Sequence, residues 1–157
     1  MQLRAYREED APALLALFWD IVRRLNARAA RDYSPEQVHA WASEDIGPGG
    51  WAGRFAGRFA VVVESGERAI GFADLEPDGH IDRFFVSADH QRRGVGRALL
   101  AAIAAEARRA RVGRLFTEAS ITARPFFEAE GFVVLSPQVV LSRGAEFVNY
   151  RMERVLA

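Results

Sequence analysis

The sequence predicts an α/β (α+β) fold in which a mixed, mostly antiparallel sheet of about seven strands is flanked by about four helices. Segments with a period of two alternate along the chain with segments whose apolar residues recur every three or four positions. Three strand-like runs, Phe59 to Glu64, Ala69 to Glu76 and His80 to Val86, are separated by the turn sequences Ser65-Gly66-Glu67 and Pro77-Asp78-Gly79, which predicts an antiparallel meander. A helical pattern and a further strand, Leu115 to Glu118, follow the third run, and a strand, crossover helix and strand pair in parallel. With 157 residues, 50% of them hydrophobic and 11% aromatic, the expectation is one domain, 1–157, around a single core.

Taken in order, Gln2 to Arg7 alternates as a short strand, and Glu8, Glu9 and Asp10 place negative charge where the next helix begins, with Pro12 tolerated in its first turn. Leu14, Leu15, Phe18, Ile21, Val22 and Leu25 fall at helical spacing and predict its core face. Asn26 to Tyr33 reads as a polar, Arg-rich linker. Ser34-Pro35-Glu36-Gln37 then opens a second helix, with Ser at the N-cap, Pro at N1 and Gln at N3, carrying Val38 and Trp41 on one side. Ile46-Gly-Pro-Gly-Gly50 predicts a helix break, and Trp51 to Phe59 fits either a short helix or a loop. After the meander a helix spans Gly94 to Ala110, with Val95, Leu99, Ile103 and Ala107 on one stripe. Ala123 to Glu130 is a short helix that Gly131 terminates, and Phe132 to Gln138 and Ala145 to Glu153 complete the sheet.

Charge and cysteine content narrow the function classes. Arginine supplies all 21 basic residues and balances 21 acids, so nothing global favours nucleic acid or an anionic membrane. The absence of Cys removes disulfides, a thiol nucleophile and zinc-thiolate sites. The polar N-terminus is no signal peptide and no apolar run approaches about 18 residues, from which a soluble cytoplasmic protein is expected.

Ile81 to Leu100 carries the chemistry. It reads as a strand ending at Val86, a polar loop from Ser87 to Arg93 and a helix beginning at Gly94 and Gly96. The first N–H groups of a helix lack intrahelical partners and sit at the positive end of its dipole, so they hold phosphate. Glycines permit close approach of a ligand, while Arg92, Arg93 and Arg97 add charge in a bidentate form. A Walker loop is excluded because the chain has no Lys, and the dinucleotide fingerprint fails at Leu99.

The remaining pattern, Gln91-Arg-Arg-Gly-Val-Gly96 followed by Arg-Ala-Leu-Leu, resembles the Gln/Arg-x-x-Gly-x-Gly/Ala pyrophosphate loop of the GCN5-related N-acetyltransferase (GNAT) superfamily. The order of elements resembles that fold over essentially the whole chain. Glu118 to Phe132 resembles the segment where the family usually has Asn or Ser before a helix and a Tyr ahead of a closing Gly-Phe. With Asp32-Tyr33-Ser34 and Trp41, it is similar to a bacterial branch carrying Ser-Ile-Thr-Ala-x-Pro-Phe-Phe.

The resemblance implies acetyl-CoA as cosubstrate, no metal, and direct acetyl transfer to a primary amine of a small molecule or peptide; it leaves room for a homodimer. Gln91, Arg92, Arg93, Gly94, Val95, Gly96 and Arg97 would hold the pyrophosphate. Phe84, Phe85 and Val86 would pair with pantetheine through their backbone, and the Val86 N–H would stabilise the oxyanion. Ser120 stands where a polar residue often contacts CoA. Phe127 stands where the family's acidic Tyr usually does, so another donor or an unassisted thiolate must serve.

An amine attacks a thioester only when neutral, so a base is required. Alternation puts His80, Asp82 and Phe84 on one face of their strand and Ile81, Arg83 and Phe85 on the other. Family members with known bases carry acidic or His residues six or four places before the strand-ending Val, which are His80 and Asp82 in this chain. Asp82 would raise the His80 pKa or hold a relay water. Asp74 and Glu76, on one face of the preceding strand, would attract a cationic amine, and Tyr33 and Trp41 would line its pocket. A second function class, a non-catalytic acyl-CoA-binding regulatory module, would keep the loop and lose the chemistry. The His80 and Asp82 pair favours the enzyme, and Phe127 in place of Tyr is the one departure that counsels caution about it.

Overall fold

The computed structural model describes residues 1–29, 48–142 and 145–156. Its elements are β1 (Gln2–Ala5), α1 (Ala11–Ala29), α2 (Pro48–Gly53), β2 (Phe59–Ser65), β3 (Arg68–Leu75), β4 (Ile81–Val86), α3 (Val95–Arg109), β5 (Arg114–Ser120), α4 (Arg124–Ala129), β6 (Val133–Ser142) and β7 (Ala145–Val155). The helix expected from Ser34, together with Tyr33 and Trp41, lies outside the described residues.

Two boundary expectations are corrected. The linker expected from Asn26 begins inside α1, which continues to Ala29, because Ala and Arg are strong helix formers whatever their polarity. The Gly-Pro-Gly-Gly break is instead the start of α2. The proline ring already holds the φ of a first helical turn. Trp51, 1% exposed, packs against Phe18, Phe55 and Phe72 at 5.3, 5.8 and 5.8 Å between ring centroids, which outweighs a glycine cost of about 1 kcal/mol each.

The strands form two antiparallel half-sheets, β1-β2-β3-β4 and β5-β7-β6. The expected parallel pairing of β4 with β5 is reduced to one bridge between His80 and Phe116. Around it the Phe116 N–H donates to the Gly79 carbonyl at 3.1 Å and the Thr117 hydroxyl donates to the Ile81 carbonyl at 2.9 Å. Gly79, at φ +99°, permits this approach, since a Cβ there would lie 2.3 Å from the Arg114 carbonyl oxygen. Past that point the sheet is split.

One core cluster joins both half-sheets beneath α3, drawing in Val63 and Ile81 on one side and Leu115 and Met152 on the other, around Leu99 and Ile103. Burying each such side chain stabilises the fold by about 1.5–3 kcal/mol. A second cluster, under α1 and α2, contains Leu14, Phe18, Ile21, Trp51 and Phe72.

Between the pairs Ala73–Phe84 and Leu75–Ile81, one residue of β3, Asp74, stands against two of β4, Asp82 and Arg83. This bulge corrects the expected alternation. Ile81 and Phe84 both pack toward α3, whereas Phe85 joins the α1 cluster and Arg83 lies over Trp51 and Phe55 of that cluster.

Candidate active site

The open end of the split is built from the end of β4 and the loop into α3. The Ser87 N–H donates to the Ile70 carbonyl of β3 at 2.8 Å, so by strand alternation Val86 directs its N–H and C=O the other way, into the split. The Gln91 side-chain amide donates to the Val86 carbonyl at 2.9 Å. Gln91 therefore ties the loop to the strand.

Arg92 at φ 61° and Gly94 at φ 83° turn the chain into the helix, with Gly94 as its N-cap and open space where a Cβ would stand. The first-turn N–H groups of Val95, Gly96 and Arg97 have no acceptor within the helix. Arg92, Arg93 and Arg97 are exposed around them, and Arg97 Nε donates to Glu130 Oε1 at 3.0 Å. Val95 is buried. Gly96 does not face the loop: a Cβ on it would lie 3.1 and 3.2 Å from the Phe126 ring and 3.7 Å from Phe84. Its smallness serves aromatic packing, where the sequence reading had it admitting a ligand.

Those rings belong to a group of four. Phe84 stands 5.5 Å from both Phe126 and Phe127, and Phe127 stands 5.1 Å from Phe132. Phe127, the position of the missing Tyr, is buried among them. The Ser120 hydroxyl oxygen accepts the Ala123 N–H at 3.0 Å and so shapes the turn into α4.

At the foot of the split lies a polar cluster. His80 Nδ1 is 2.6 Å from Glu76 Oε1, and Nε2 is 2.8 and 3.1 Å from the two Glu118 oxygens. Only the imidazolium donates to both carboxylates at once. Burial opposes charging of this ring, but the hydrogen bonds and charges of Glu76 and Glu118 outweigh it and raise the His80 pKa above the ordinary 6.5. Asp82, expected to raise that pKa or to hold a relay water, accepts from Arg58 and lies 3.8 Å from Arg54, so the hydrogen bonds that raise the His80 pKa come from Glu76 and Glu118. Burial works to raise the Asp82 pKa, yet Arg58, Arg54 and His80 bring it below the ordinary 3.8.

Asp74 is not an open strand charge. Its side chain is 0% exposed, accepting from the Arg83 backbone N–H at 2.8 Å and from Arg83 Nε at 3.0 Å, with Arg58 Nη1 3.2 Å away. Arg83 is stacked on Phe55, 3.9 Å from the ring centroid. Glu76 shares this network through Arg58, at 3.7 Å, but remains part-exposed. Glu76, His80 and Asp82 each present a ligand-type atom within 4.8 Å of the others, but a cation there would have to displace Arg58 and the imidazole hydrogen bonds. The sequence reading missed Arg58 and Glu118. Glu118 was detectable only through strand alternation, two residues beyond Phe116 on β5; Arg58 lies in a loop and carries no periodic signal.

A half-split sheet with a glycine loop and helix start at its open end is the architecture of an acyl-CoA N-acyltransferase. The chain belongs to the GNAT acetyltransferase family, whose acetyltransferase (GNAT) domain model matches residues 29–154. It is an N-acetyltransferase of that family, 35% identical over 152 residues, 97% of this chain and 94% of the relative, to YafP of Escherichia coli K12, which is described as an uncharacterized N-acetyltransferase. Its structure is similar to that of a GCN5-related N-acetyltransferase from Rhodopseudomonas palustris, with a TM-score of 0.90 and 33% identity over 99% of this chain and 95% of that one. The Salmonella typhimurium protein YncA, solved with acetyl-CoA, shares the fold with a TM-score of 0.74 at 18% identity, covering 100% of this chain and 94% of its own.

Proposed function

We propose that this chain transfers acetyl directly from acetyl-CoA to a primary amine of a small molecule or peptide, as a single metal-free catalytic domain of the bacterial branch noted above. The observation that carries this reading is the split beside β4, with the Val86 N–H directed into it and the unpaired first turn of α3 next to it. Acetyl-CoA, when bound, supplies the activated acyl group. The loop N–H groups with Arg92, Arg93 and Arg97 suit its pyrophosphate, and the open space at Gly94 fits a close approach. The Phe84 to Val86 backbone suits its extended arm. The Val86 N–H offers a donor for charge developing on the acyl oxygen.

His80 at the foot of the split serves deprotonation, with Asp82 fixing Arg58 beside it. The part-exposed carboxylates of Glu76 and Glu118 favour a cationic acceptor there. The acetyl-CoA supply on which the reaction draws supports a cytoplasmic location. Val133, Leu135, Val139 and Leu141, exposed along edge strand β6, support a homodimer, which sedimentation measures.

CoA release measured across amines, amino acids, aminoglycosides and peptides tests the reading. At least one amine is expected to release CoA at a rate well above hydrolysis. Tight acetyl-CoA binding with no release from any of them would identify the non-catalytic module instead.

A further inference from the structure

The acceptor's proton needs a path out of the split, and the residues around His80 form one in series. Glu118 lies on β5, two residues beyond the bridge at Phe116, on the strand that borders the split. Its side chain is 39% exposed, against 25% for Asp82, which Arg58 and Arg54 already occupy. Behind Glu118 stands His80 Nε2, and His80 Nδ1 leads to Glu76, which is 33% exposed in the turn that follows β3.

We propose that Glu118 is the catalytic residue that takes the proton of the acceptor amine, and that His80 is a positioning residue that carries it toward Glu76 and solvent. This rests on the acetyltransferase reading. In the active form the imidazole is neutral. The amine N–H bond breaks as an O–H bond forms on Glu118, Glu118 passes that proton to Nε2, and the imidazolium returns to neutral by releasing one proton through Glu76. One proton leaves the amine and one reaches solvent, so Glu118 ends as the carboxylate it began.

The surroundings set the basicity of this unit. The ring meets Glu76 from the β3–β4 turn and Glu118 from β5; the Asp78 carboxylate accepts the His80 backbone N–H at 3.1 Å; Asp82 follows on β4 with Arg58 and Arg54. Phe116, against which the imidazole packs at 5.1 Å, carries Arg114 at 4.5 Å. The carboxylates nearest the ring make His80 a stronger base than free imidazole, and a weak carboxylate base gains from having it next in line.

The test is the pH dependence of kcat/KM with the best acceptor, alongside a histidine ring NMR titration in which His80→Asn assigns the signal. Wild type is expected to gain activity through a limb above pH 6.5, matching the His80 titration. Glu118→Gln should lower the plateau about a hundredfold, move both the limb and the titration to lower pH, and leave acetyl-CoA affinity unchanged. Glu76→Gln should move the limb downward too. If Glu118→Gln does not fold, Glu118→Asp, which withdraws the carboxylate by one methylene, should show the same directions.

An unchanged plateau in a folded Glu118 variant overturns the proposal. So does a lowered plateau with an unmoved limb and His80 titration, since Glu118 would then act without His80. Wild type that binds acetyl-CoA yet releases CoA to no amine overturns the acetyltransferase reading and the relay together, a result distinct from an active enzyme indifferent to Glu118.

Discussion

Asp74 shows how far a single side chain can differ from its pattern. Alternation along β3 put it beside Glu76 as a charge for substrate, but nothing in a period of two reports that β4 carries an extra residue opposite it. The carboxylate is spent on Arg83 and Arg58. Asp74→Asn leaves a buried guanidinium without its counter-charge, and a loss of about 3–5 kcal/mol in urea unfolding is expected. A loss under about 1 kcal/mol would mean that aromatic stacking, not this pair, holds Arg83. Phe127 raises the opposite question. Phe127→Tyr buries a hydroxyl among Phe84, Phe126 and Phe132, at a cost of about 1–3 kcal/mol. Turnover should not rise, because a CoA thiol with a pKa near 8.5 departs as thiolate near neutral pH. A tenfold gain would show that protonation of the leaving group limits the rate.

Among the elements, α3 was the most legible: Val95, Leu99, Ile103 and Ala107 repeat every four residues and all are buried. Helix α2 was not, because its local glycines argue against a helix and only the burial of Trp51 decides the matter. The bulge in β4 was also hidden, since a one-residue offset in a six-residue strand leaves no periodic trace. The glycine loop was read correctly as a loop into a helix, but its two glycines do different work. Gly96→Val should force the Phe126 ring aside and lower stability by about 1–3 kcal/mol. Gly94→Ala meets no atom and costs about 1 kcal/mol through its positive φ. Thermal melts of the two variants that rank in the reverse order would overturn this division.

For the whole molecule, the paired groups at the foot of the split predict how stability follows pH. His80 titrates higher folded than unfolded, so its contribution is complete below pH 6.5 and fades as pH climbs through the folded value. Asp82 titrates lower folded than unfolded, so its contribution is present above pH 3.8 and disappears as pH falls through the folded value. Both operate between those limits, and unfolding free energy should decline on either side of that window. His80→Ala should flatten the alkaline decline; a decline identical to wild type would assign it to other groups.

The single bridge between β4 and β5 makes the chain an incomplete sheet waiting for a lath. An extended pantetheine arm lying along Phe84 to Val86 would act as the missing strand, cementing two halves that otherwise meet at the foot of the split and in the core beneath α3. Occupancy then feeds back on folding: cosubstrate at a hundred times its Kd adds about 2.7 kcal/mol to the native state. Amide exchange at Val86 should slow markedly with acetyl-CoA present, and an unchanged rate would place the arm elsewhere. If cleavage proceeds through the opened form, survival against proteases becomes coupled to the metabolic supply of acetyl groups.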